Sequence, residues 1–159
     1  MRGFISYAHQ NTRMFERFNK SIKRSLPAIN GLEVWSDTDN LTGHAFEQRI
    51  MDQIAASDLF ILLVSSDFLA SDFIWDKEIP AIKQRYDNGA LVLPVVLRPC
   101  QWQQVTGTCL AAPLDQRSQL TPISDWRPHD NGYDQATTQV MASICRHFGV
   151  TPNQNGVFT

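Results

Sequence analysis

The apolar positions of this chain fall into two patterns: short unbroken blocks, and longer stripes that recur every three or four residues. The block "GFISY", bounded by polar residues, reads as a strand ending at Ser6 or Tyr7. Met14, Phe15, Phe18, Ile22 and Leu26 then recur at helical spacing, with Asn11 or Thr12 placed to cap the first turn and Pro27 to end the last. "GLEVW" predicts a second strand over Leu32 to Trp35, and the polar loop "SDTDNLTGHA" leads into a helix striped by Phe46, Ile50 and Ile54. Leu59 to Val64 shows no alternation, the pattern of a central parallel strand covered on both faces. "SDFLASDFIWDKEIPAI" predicts the next helix, "NGALVLPVVL" a turn and fourth strand, and "LTPIS" a short fifth strand whose Pro122 suits an edge. Pro94, inside the fourth strand, predicts a bulge because proline cannot donate to a ladder. Ala136, Val140, Ile144 and Phe148 stripe the last helix, and residues 150–159 read as a tail or linker.

Strands that alternate with helices pair in parallel through right-handed crossovers, so the pattern predicts an open α/β sheet of five strands with helices on both faces. Such sheets bind ligands at the carboxyl ends of their strands. Here those ends carry Ser6 and Tyr7, Ser36 and Asp37, Ser65 and Ser66, Arg98, and Ser124 and Asp125. Absent signatures narrow the chemistry. The chain has no GxGxxG and no Walker-type phosphate loop, and no GxSxG elbow presents a nucleophile. Ser6 and Ser65 stand where a phosphoacceptor receiver needs acids, and "SYAHQNT" lacks the glycine of a flavodoxin phosphate loop.

Composition adds bounds. A chain of 159 residues suits one domain with a core of its own, and a net charge of −2 speaks against broad attraction to nucleic acid. Cys100, Cys109 and Cys145 show no CxxC pairing, and His9, His44, His129 and His147 show no ligand spacing, so no metal centre and a reducing compartment are expected. Met1 runs into the first strand within a few residues, which leaves no room for a leader, and no apolar run is long enough to cross a bilayer. A cytoplasmic domain touching neither membrane nor nucleic acid is expected.

In this order and spacing, "FISYAHQN", "DTDNLTGHAFEQRI", "SDLFILLVSSDFLASDFIWDKE" and "LPVVLRPCQW" resemble the TIR domain (Toll/interleukin-1 receptor type), particularly its bacterial members. The likeness spans residues 1–149 and is most specific from Ser57 to Glu78. It implies a flavodoxin-like fold with strand order 2-1-3-4-5 and "LTPIS" at an edge. Two activities follow from it: cleavage of NAD+ between nicotinamide and ribose, giving ADP-ribose or a cyclic form in a self-assembled bacterial defence system, or a non-catalytic TIR to TIR scaffold. A third reading has the same glutamate cleaving another nucleoside. Glu78 matches the glutamate of the enzymatic members. The resemblance further implies that Ser6 and Tyr7 line the ribose or adenosine side and that Ser65 and Ser66 close the floor. It also implies that the loop from Asp37 to Gly43, ended by the aromatic Phe46, covers the site or docks on a neighbour. NAD+ enters as substrate, with no separate cofactor. The implied partners are other TIR domains and a sensor domain following the tail in a longer chain.

One carboxylate suffices for that chemistry. The nicotinamide of NAD+ is cationic and departs neutral, so no proton donor is needed, and the remaining demand is to stabilise an oxocarbenium-like ribose. Opposite unit charges about 4 Å apart at an effective dielectric near 20 attract by roughly 4 kcal/mol, equivalent to about three powers of ten in rate. In a regular helix Trp75 shares a face with Glu78 and would stack on the cationic ring; several active members put the aromatic where Ile74 stands here, so the resemblance leaves Phe73 or Trp75 as its substitute. Pro80, two residues on, predicts a helix that restarts near Asp76 or bends, with Glu78 near a helix N-terminus that favours its ionised form.

Overall fold

The unbroken block at 59–64 is the middle of the sheet. In a computed structural model, which describes residues 1–29, 31–37, 43–107 and 110–151, β3 (Leu59–Val64) is buried at every position and lies between β1 (Arg2–Ser6) and β4 (Leu91–Val96). β2 (Glu33–Ser36), one residue later than its pattern suggested, pairs with β1, and the order β2-β1-β3-β4 is parallel throughout. The side chains of β3 alternate between two cores. Leu59, Ile61 and Leu63 pack against α1 (Thr12–Ile22) and α6 (His129–Phe148), while Phe60, Leu62 and Val64 face α2 (His44–Ala55) and α4 (Ile79–Asp87). Burying each of these side chains contributes roughly 2 kcal/mol, which explains why no polar residue interrupts the strand.

Among the described residues the sheet has four strands, not the five predicted. "LTPIS" makes only a single antiparallel bridge, Leu120 to Leu114, before a 3-10 turn at Ile123–Asp125. With Pro122 in its middle, the stretch offers too few donors for a ladder. The edge beyond β4 is closed by one parallel bridge, in which Ala112 N–H donates to Pro94 O (2.9 Å) and Val96 N–H to Ala112 O (2.8 Å). Pro94 therefore points its carbonyl, and with it its nitrogen, at that outer edge, where no donor is missed. The ladder to β3 runs in unbroken register from Leu59↔Leu91 to Val64↔Val96, without the predicted bulge.

α1 stops at Ile22, ahead of Pro27, which sits instead in a 3-10 turn at Leu26–Ala28. Asn11 precedes α1 without a capping bond, and Thr12 Oγ1 donates to His9 O (2.6 Å). After β3 come α3 (Ser66–Ala70) and then a helical path from 72 to 87 that contains a π turn at Ile74–Glu78 before it becomes α4. Ile79 N–H donates to Ile74 O, five residues back. Pro80 is the physical reason: it brings no N–H, and its ring would press on the carbonyl four residues earlier, so the turn before it widens. A short helix, α5 (Gln103–Thr106), follows β4. Among the described residues no helix is long and apolar enough to cross a membrane, and no group of His, Cys, Asp or Glu could hold a metal ion. The middle of the predicted Asp37 to Gly43 loop (38–42), Cys109 and the tail from 152 lie outside the described residues.

Candidate functional site

A cleft of about 480 Å³ opens at the carboxyl end of β1, between the β1–α1 turn, the first turn of α2 and the π turn. Ser6, Tyr7, Asp37, Phe46 and Glu78 all line it. Of the residues proposed from sequence, Ser65, Ser66 and Trp75 do not.

Glu78, the last residue of the π turn, is 5% exposed. Ser6, the last residue of β1, donates its hydroxyl to Glu78 Oε1 at 2.9 Å, joining residues 72 positions apart. Among the described residues Glu78 Oε2 has no hydrogen-bond partner, and it is not sealed from solvent, so it opens on the cleft. Burial pushes the carboxyl up from 4.5 to about 7; the Ser6 hydrogen bond pulls it down, Asp37 pushes it further up and His9 draws it back. The ionised form expected from a helix N-terminus is thus not secured. Glu78 sits in the second turn of the 72–87 path, beyond reach of the terminal partial charge, and desolvation dominates.

The π turn also decides which side chains accompany Glu78. Its wider winding keeps residues four apart in line and throws those three apart out of line. Ile74 is buried and, with Phe73, lines the cleft, while Trp75 is 40% exposed and points elsewhere. The stacking wall assigned to Trp75 is therefore not at the cleft.

Tyr7 and Asp37 form a fixed rim. The Tyr7 ring stacks on Phe15 (centroids 4.1 Å apart, 3° between planes), and its hydroxyl donates to Asp37 O at 2.6 Å. Burial, with Asp37 and Glu16 nearby, pushes that phenol up to about 12, so it stays a neutral donor. Asp37 Oδ2 in turn meets His9 Nε2 at 2.8 Å, and Phe46 sets its ring edge-on to His9 at 6.3 Å. His9, given no site role from the sequence, sits exposed in the turn after β1 and lines the cleft. Its position in the turn after β1, at the ligand-binding end of the sheet, was the available signal. Gly43, with φ 89°, leads into α2 through a conformation that favours glycine.

Ser65 serves the scaffold. Its hydroxyl accepts from Phe68 N–H (3.0 Å), capping α3, and donates to Asn11 Oδ1 (2.5 Å), while Asn11 Nδ2 donates to Asp67 Oδ2 (3.1 Å). The β1–α1 and β3–α3 turns are tied together beneath the cleft. Asp37, Glu47, Asp67 and Glu78 face this space with His9 as the one lining basic group among the described residues, so the lining attracts a cationic group.

A sequence profile of the TIR domain matches residues 4–139. The chain is also 32% identical over 145 residues to the uncharacterized protein y4lF of Sinorhizobium fredii (strain NBRC 101917 / NGR234), covering 90% of this chain and 43% of that relative, so it spans less than half of the relative's length.

Proposed function

The chain belongs to the TIR domain family, and on that premise we propose that it cleaves the nicotinamide–ribose bond of NAD+ in the cleft beside Glu78. The observation that carries this reading is the Glu78 carboxylate itself, buried, with one oxygen held by Ser6 and the other open to an acid-lined cleft. A volume of about 480 Å³ suits the nicotinamide riboside end of the substrate.

In the step, the bonding pair of the glycosidic bond leaves with the ring nitrogen and nicotinamide departs neutral. Positive charge develops on the ribose, facing Glu78 Oε2. Water adds to the anomeric carbon and loses a proton, giving ADP-ribose; an internal nucleophile of the adenine gives the cyclic product instead. The acidic lining favours the cationic ring in the ground state, and the approach of that cation lowers the Glu78 pKa from about 7, so binding itself draws off the proton. Self-association through TIR to TIR contacts raises the activity, and the reaction serves bacterial defence.

Nicotinamide release from NAD+, measured on dilute and on assembled protein with Glu78→Gln as control, tests the proposal. Release by the parent protein alone supports it. Equal release from both proteins removes Glu78 from the chemistry. Binding to other TIR domains without release, even when assembled, assigns the domain to signalling contacts.

A further inference from the structure

On the opposite face of the sheet, a second hollow of about 400 Å³ lies between the start of α1, the end of β4 and the first turn of α6. Its charge is the reverse of the cleft's. Arg13 and Arg17, four residues apart on α1, project to the same side, and Arg98, just beyond β4, joins them. Tyr133 forms the buried wall, and the Arg17 guanidinium lies 4.6 Å from the centre of its ring. Arg17 Nη2 also donates to Asp130 Oδ1 at 2.6 Å, whereas among the described residues Arg98 is held only by its Nε–H on Met14 Sδ (3.4 Å), with no partner there for its two terminal nitrogens. Among the described residues, neither Arg13 nor Arg98 has a carboxylate at ion-pair distance. Three lining guanidinium groups against one paired carboxylate leave two positive charges unbalanced. His129, at the start of α6, also lines the hollow, with its Nε2 2.8 Å from Arg127 Nη1.

We propose that this hollow binds the phosphate or diphosphate group of a small phosphorylated ligand, with Arg13, Arg17 and Arg98 as its charged contacts. Guanidinium forks match phosphate oxygens in pairs, and convergence of several on one concavity selects a compact anion. The first turn of α6 contributes its partial positive end to the same space. An extended nucleic acid fits poorly, since the basic residues line a hollow and not a stripe on a chain of net charge −2. The inference does not depend on the NAD+ reading of the cleft.

Calorimetric titration of the full chain with inorganic pyrophosphate, and separately with ADP, tests it. Both probes are expected to bind, with affinity falling at least about tenfold in Arg98→Gln and in Arg13→Gln, and falling steeply with salt. Tighter binding of ADP assigns the anion to a nucleotide; equal binding assigns it to the free diphosphate. Glu78→Gln is expected to bind pyrophosphate as the parent does, which separates this site from the cleft. No binding of either probe at millimolar concentration overturns the proposal. So does undiminished binding by folded arginine variants, or a loss that follows Glu78→Gln instead.

Discussion

The ends of β1 and β3 lie side by side in the sheet, with Ser6 in register with Leu62; β1 ends on Ser6 and β3 is followed by Ser65, yet the two hydroxyls do different work. Ser65 is followed at once by α3, whose first turn needs a cap, so its oxygen accepts from Phe68 N–H while its proton goes to Asn11. Ser6 is followed by Tyr7 and an extended Ala8 before the 3-10 turn at His9–Asn11, so no helix claims its hydroxyl and it reaches Glu78. A strand-end hydroxyl serves a ligand site when the chain does not turn directly into a helix that consumes it.

The sharpest way to test that contrast is through Glu78, the partner of Ser6 alone. Glu78→Gln is expected to lower nicotinamide release by about three powers of ten, the Coulomb term of the carboxylate. The same variant should be more stable than the parent above neutral pH. A carboxyl raised from 4.5 to about 7 in the fold keeps a proton that the unfolded chain gives up, so the parent loses stability as pH rises through that window. The gain at pH 8 is on the order of 3 kcal/mol and is read from urea melts at pH 4 and pH 8.

Ser6→Ala comes next. It removes the hydrogen bond that favours the carboxylate, so the midpoint of the rise of kcat/KM with pH, expected near 7 in the parent, moves upward. Release at pH 7 should then fall roughly threefold to tenfold and recover at alkaline pH. An unshifted profile would remove Ser6 from the control of Glu78. Ser65→Ala should do the opposite: it costs about 2 kcal/mol in a urea melt through the lost cap and the stranded Asn11 oxygen, while turnover per folded molecule is unchanged. The smallest effect belongs to Trp75→Ala. With its ring outside the cleft, KM for NAD+ in the isolated domain and stability should stay within about 0.5 kcal/mol of the parent; a raised KM would return Trp75 to the substrate.

Legibility followed the range of the forces involved. The limits of β3 were readable because burial on both faces demands an unbroken apolar run, and Pro94 was readable as an anomaly because its missing donor is a local fact. The failure at "LTPIS" is of another kind. Whether a short apolar stretch becomes a strand depends on a neighbouring edge able to pair with it, and among the described residues the β4 edge is bridged by Ala112, with "LTPIS" reaching it only past the strand's end, from Ser124 N–H to Leu97 O. His9 was missed because its role comes from Asp37, which a different strand brings to it.

By itself, the order of residues determined the parallel α/β layering, the family to which the chain belongs and the position of the one glutamate on which the proposed chemistry turns, because apolar period and motif spacing are written along the chain. Tertiary structure decided the rest. A π turn forced by Pro80 put Ile74 and not Trp75 beside Glu78, and contacts across 72 residues buried that carboxyl with Ser6 as its partner. Desolvation is set by everything that surrounds a group, whatever its distance in sequence, so the charge state of Glu78 exists only once the fold has closed around it.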